Sequence, residues 1–141
     1  MKRFVIDANI AAKWYLPEED SDLAERLLEL GGEFHAPEIL KTEFASIVWT
    51  HSVAGAVSTA VWRLGRDGLG TAIPNWHRDE SLLEQALELG LANRHHVFDC
   101  LYLALAVSID GVVITADKQF LVKFSRTEHA GRVISLASAL G

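Results

Sequence analysis

Short apolar runs alternate with stretches of helical periodicity along the whole chain, and this alternation constrains the fold more than any other feature. "RFVID", "EFHA", a run within "LGTAIPNW" ending at Pro74, "GVVIT" and "RVISL" read as buried-type strands. Between them lie helical segments. "ANIAAKWYL" has Asn9 as an N-cap and stops at Pro17. "EEDSDLAERLLEL" sets Leu23, Leu27 and Leu30 on one face and ends at Gly31 and Gly32. Pro37 opens a helix running to about Val53, and "AVSTAVWRLGRDG" makes another, weakened by Gly65 and ended by Gly68. "RDESLLEQALELGLANR" turns Leu82, Leu83, Ala86 and Leu89 inward. A strongly apolar helix headed by Asp99 and a short one from about Lys118 follow, then the polar loop "SRTEHAG". No hairpin signal occurs, so the pattern predicts an α/β sandwich around a parallel sheet.

A chain of 141 residues, 50% hydrophobic and 23% charged, suits one globular domain spanning residues 1–141. Cys100 is the only cysteine, which excludes an internal disulfide and suits a reducing compartment. Asp7 and Lys13 interrupt the first apolar residues, so the start does not read as a signal peptide. The longest apolar run is too short to span a bilayer. The expectation is a soluble cytoplasmic protein. A net charge of −6 argues against a broad nonspecific nucleic-acid surface. It is compatible with a nucleic-acid substrate approached through a bound metal, or with a basic protein partner.

Four carboxylates stand in unusual places. Asp7 and Asp117 each follow a strand, Asp99 begins a helix made for burial, and Glu43 shares a helix face with Leu40 and Ile47. In parallel α/β sheets ligand sites lie beyond the carboxyl ends of strands, so Asp7 and Asp117 fall on one edge. Taken singly, Asp7, Asp99 and Asp117 are turn or cap residues, and Glu43 borders an apolar stripe. Taken together, their placement predicts that they converge. Two like charges about 4 Å apart repel by about 4 kcal/mol at an effective dielectric near 20. Such a cluster persists by holding protons or a cation, and all-oxygen donors suit Mg²⁺ or Mn²⁺.

"VIDAN", "PEILKTEFAS", "HHVFDCLYLALA" and "ITADKQF", in this order and at these separations, resemble the PIN-domain nucleases, and among them the toxin halves of bacterial VapBC toxin–antitoxin pairs. The resemblance runs from Arg3 to about Leu136. It implies a three-layer α/β/α sandwich with about five parallel strands. It also implies an acidic site of Asp7, Glu43, Asp99 and Asp117 that uses Mg²⁺ or Mn²⁺ to cut RNA, leaving a 5′-phosphate and a 3′-hydroxyl. Asn9 and Thr115 would support that site. Ser46 stands where the family usually has asparagine, and its shorter side chain still offers one hydrogen bond. The resemblance further implies a homodimer and a small antitoxin whose tail enters the acidic groove. A solitary RNA-processing nuclease and a PIN-like binding protein without activity are the alternatives within the same fold.

Arg94, His95, His96 and Lys118 flank two of the acids and are phosphate-binding candidates, although each reads better as solvated surface, as do Lys13 and Lys41. Trp14, Trp49, Trp62 and Trp76 fit core or dimer packing better than base stacking. No HxxxH pair suggests zinc. Two other chemistries place an aspartate after a first strand. A haloacid-dehalogenase-type phosphotransferase needs a second aspartate where Asn9 stands, and a receiver domain needs an acidic pair near Asp7 that is absent.

Overall fold

The computed structural model describes residues 1–141. Five strands, β1 (Arg3–Ile6), β2 (Glu33–Pro37), β3 (Asn75–His77), β4 (Val112–Ile114) and β5 (Val133–Ile134), form one sheet in the order β3-β2-β1-β4-β5. Every pairing is parallel, and Val5 in the central strand lies opposite His35 on one side and Val113 on the other. Parallel pairing demands crossovers, and helices supply them. These are α1 (Ala8–Ala11), α2 (Ser21–Leu30), α3 (Ile39–Val53), α4 (Ala60–Ala72), α5 (Leu83–Asn93), α6 (Val97–Ile109), α7 (Lys118–Phe124) and α8 (Leu136–Leu140). The result is a three-layer α/β/α sandwich around a single cluster of 34 buried apolar residues.

Helix α6 is the spine of this core. Cys100 to Ala106 are buried without interruption, as expected of a helix that is apolar all round. It packs on β1 and β2 with one side and on α5 with another. The α5–α6 approach is close because Gly90 faces the backbone: a Cβ there would lie 2.8 Å from the His95 carbonyl oxygen.

Several local expectations are corrected. β3 follows Pro74 rather than ending at it, since proline has no N–H for the ladder while His35, Ala36 and Pro37 pair with Asn75, Trp76 and His77. Helix α4 continues through Gly68 to Ala72. Its glycines are compensated by packing, because Gly65 sits against the Phe44 ring and Gly68 against Tyr15. Pro37 closes β2 instead of opening α3, and Glu38 occupies the N-cap position. There its carboxylate accepts from the Asp79 N–H, while Asp79 accepts from the Ile39 N–H. Leu83 points to solvent, not inward. Asn9 lies inside α1, and Asp7 holds the N-cap position without making a cap bond. No helix is long and apolar enough to cross a membrane.

Candidate metal centre

Asp7 directly follows the central strand. Its backbone N–H is taken by Ile114 of β4, so the carboxylate is fixed at the sheet edge between β1 and β4. The side chain is buried, yet it is held by donors. Thr115 Oγ1 donates to Asp7 Oδ2 at 2.8 Å, and Asn9 Nδ2 approaches the same oxygen at 3.3 Å. Asn9 also reaches Thr115 Oγ1 at 3.2 Å, and its Oδ1 accepts from the Ala116 N–H. Thr115 thus ties β1, α1 and the β4–α7 turn to one point.

Glu43, Asp99 and Asp117 arrive from three other elements. Residues lining a cavity of about 530 Å³ include Asp7, Asn9, Glu43, Ser46, Asp99 and Asp117, so one space gathers six of the seven residues the sequence singles out. Thr115 stands behind Asp7 rather than in the lining. Ser46 is exposed, and no side chain holds its hydroxyl.

Two further contacts organise the acids. Tyr102, fully buried in α6, donates from its hydroxyl to Glu43 Oε1 at 2.6 Å. His95 Nε2 lies 2.8 Å from Asp99 Oδ2. A carboxylate only accepts, so this imidazole nitrogen carries the hydrogen. The His95 ring stacks on Phe120 of α7 at 5.2 Å, and its side chain is only 10% exposed. From sequence alone His95 reads as solvated surface and Tyr102 as core. A signal for each existed: His95 precedes Asp99 by one helical turn, and Tyr102 carries the sole hydroxyl among the residues from Cys100 to Ala106. Asp117 has a second duty. Its Oδ1 accepts from the Gln119 and Phe120 N–H groups and caps α7, which leaves Oδ2 free of that role.

The electrostatics follow from burial. Burial drives the Asp7 carboxyl up from 3.8 to about 7, opposed by the Thr115 hydroxyl and reinforced by the Asp99 and Glu43 charges. Burial also raises Glu43, against the pull of the Tyr102 hydroxyl. Asp99 is raised by burial, partly offset by His95, with Asp117 adding repulsion. No lysine or arginine lines this cavity. Hard oxygen donors around an uncompensated negative space fit Mg²⁺ or Mn²⁺. No three acidic, histidine or cysteine side chains close about a common point as a ready cage. Cys100 is buried beside Asp99, and burial pushes its thiol up to about 11, as expected of core filling.

Comparison with known proteins identifies the family and the fold. The PIN domain family matches residues 4–125. Ribonuclease VapC3 of Pyrobaculum aerophilum is 31% identical over 127 residues, covering 86% of this chain and 95% of that protein. The crystal structure of PAE2754 from Pyrobaculum aerophilum superposes with a TM-score of 0.74 at 16% identity, covering 99% of this chain and 87% of that one. VapC20 of Mycobacterium tuberculosis, described as a sarcin-ricin loop cleaving toxin, gives 0.68 at 13% identity over 86% of this chain and 95% of its own. A toxin–antitoxin complex from Klebsiella pneumoniae gives 0.62 at 18% identity, over 94% and 96% of the two chains. Sequence and fold therefore converge: this chain belongs to the PIN domain family, as a VapC-like member.

Proposed function

We propose that this chain is a divalent-cation-dependent endoribonuclease, the toxin of a VapBC-type pair, acting through Asp7, Glu43, Asp99 and Asp117. The observation that carries the reading is the cavity these four carboxylates share, with no basic side chain in its lining, in a homologue of a VapC ribonuclease. Asp7 and Asp99 would hold Mg²⁺ or Mn²⁺, with Asp117 Oδ2 available to a second ion or to a bound water. When bound, the cation supplies charge neutralisation at the phosphoryl oxygens and a more acidic water. Thr115 and Asn9 keep the Asp7 carboxylate aimed, and His95 does the same for Asp99. Glu43, with Oε1 occupied by Tyr102, orients the attacking water through Oε2 and accepts its proton. A partly desolvated carboxyl with a raised pKa is a better base than an exposed one. The cut leaves a 5′-phosphate and a 3′-hydroxyl. The test is RNA cleavage during a Mg²⁺ titration of Asp7→Asn and Asp99→Asn. Full activity in either variant at the wild-type Mg²⁺ requirement removes that residue from the mechanism.

The acidic cavity is complementary to a basic antitoxin tail. A separate apolar face on α3 and α4 supports association with another chain, a second copy included. Trp49 is 66% exposed there, beside Val53, and a shallow groove runs between Trp49 and Trp62. Light scattering checks the homodimer. Co-expression with the neighbouring small reading frame checks the antitoxin, which should abolish cleavage when bound.

A further inference from the structure

We infer that a second cleft, abutting the acidic cavity, is a phosphate-binding subsite for single-stranded RNA, built by Arg94, Lys118 and Lys123. The inference rests on the nuclease reading and specifies how substrate lies across the site. The cleft has a volume of about 880 Å³ and shares Asp99 and Asp117 with the acidic cavity, so the two spaces meet at those carboxylates. Arg94 closes α5, while Lys118 and Lys123 project from α7.

These three cations are unspent. Elsewhere on this acidic chain, Arg3, Lys13, Arg66, Arg78 and Arg132 each pair with a carboxylate, while Lys2, Arg26, Lys41, Arg63 and Arg126 make no ion pair; what sets Arg94, Lys118 and Lys123 apart is that all three share one cleft beside the acids. Arg94, Lys118 and Lys123 make no ion pair and no side-chain hydrogen bond, although two acids share their cleft. Arg94 also stands at φ 51°, a left-handed helix end where glycine or asparagine is the easier residue. The opposite wall of the acidic cavity offers Ile39, Thr42, Ser46 and Ile47, with no cation. Positive charge therefore lies on one side only. A strand whose scissile phosphate sits at the acids has its neighbouring phosphates neutralised over α7, not over α3.

An aromatic side chain marks the strand as unpaired. Phe98 lines the acidic cavity, is 47% exposed, and has the His96 ring edge-on at 4.6 Å. Such a platform stacks an open base and has no access to one inside a duplex.

The test measures anisotropy of a fluorescein-labelled oligouridylate about twelve nucleotides long, in EDTA so that the probe is not cut, across about 50–200 mM salt. It compares wild type, R94Q/K118Q/K123Q and the remote control K2Q/R26Q/R63Q. Magnesium binding by calorimetry shows that the acidic site is intact. The subsite variant should bind at least about tenfold more weakly, and its log–log salt slope should fall by about 2, from about 0.7 per lost contact. A K118R/K123R variant should retain wild-type binding. Equal losses in the remote control, or an unchanged slope in the subsite variant, overturn the subsite while leaving the nuclease reading standing. A wild-type protein that neither binds nor cleaves RNA overturns both.

Discussion

The Tyr102 hydroxyl meets Glu43 Oε1 at 2.6 Å, joining α6 to α3 across 59 residues of sequence. A hydrogen bond to a charged acceptor contributes about 1.5–3 kcal/mol. Tyr102→Phe keeps the ring that fills the core and removes only this donor. The expected outcome is a fall in RNA cleavage of about tenfold or more, with Mg²⁺ half-saturation changed less than turnover. Cleavage assayed over a range of Mg²⁺ checks the split. Equal loss of fold stability and activity would instead assign Tyr102 to packing alone.

His95 holds Asp99 while stacking on Phe120. Outer partners of metal-binding groups typically account for about 10–100-fold in metal affinity or activity. His95→Phe retains the stack and loses the donor, so it should weaken Mg²⁺ binding within that range at near-native thermal stability. Isothermal calorimetry and a melting curve read the two quantities separately.

Asp7 makes stability depend on pH. Its folded-state carboxyl titrates near 7, against an ordinary value of 3.8, chiefly because it is buried. The native state then binds a proton more tightly than the unfolded chain. The stabilisation from neutral Asp7 is complete below pH 3.8 and is lost as pH rises through about 7. In metal-free protein Asp7→Asn should raise Tm by about 5 °C or more at pH 8, and by less at pH 5. Mg²⁺ competes with that proton, so the Tm gain on adding Mg²⁺ should be larger at pH 8 than at pH 6 in wild type and absent in the variant. Differential scanning fluorimetry with and without a chelator decides this.

Asp117 both caps α7 and faces the acidic cavity. The two roles separate by substitution. Asparagine caps as well as aspartate does, so Asp117→Asn should leave stability unchanged and depress cleavage, while Asp117→Ala should depress cleavage and cost about 1 kcal/mol as well. Chemical denaturation beside an activity assay distinguishes them.

Gly90 permits the α5–α6 approach that places His95. A methyl at that position would lie 2.8 Å from a backbone oxygen, which cannot swing aside as a side-chain tip would. Gly90→Ala should cost about 1–3 kcal/mol and reduce cleavage together with stability, and urea unfolding measures the first.

The acids were legible in the sequence because their positions are local facts: an aspartate after a short apolar run, an acid on an apolar helix face. Four of the five strands were legible for the same reason, β3 being the exception. What sequence could not show is contact between distant elements. His95 looked like surface until Phe120 covered it, and Tyr102 looked like core until Glu43 met its tip. Gly68 reads as a helix end because the Tyr15 side chain that packs there is 53 residues away in sequence, a relation no window contains. Register at β3 was missed because the partner backbone at His35–Pro37, not local propensity, selects which residues pair.

The sheet order has one more consequence. β1 is central, so Asp7 gains its neighbour Ile114 and its hydroxyl donor Thr115 only when a segment more than a hundred residues downstream has joined it. During translation the amino-terminal three-quarters of the chain can carry Asp7, Glu43 and Asp99 and still lack the strand that positions them. On the proposed nuclease reading, the acidic site is therefore incomplete until most of the chain has been synthesised, a delay written into topology alone.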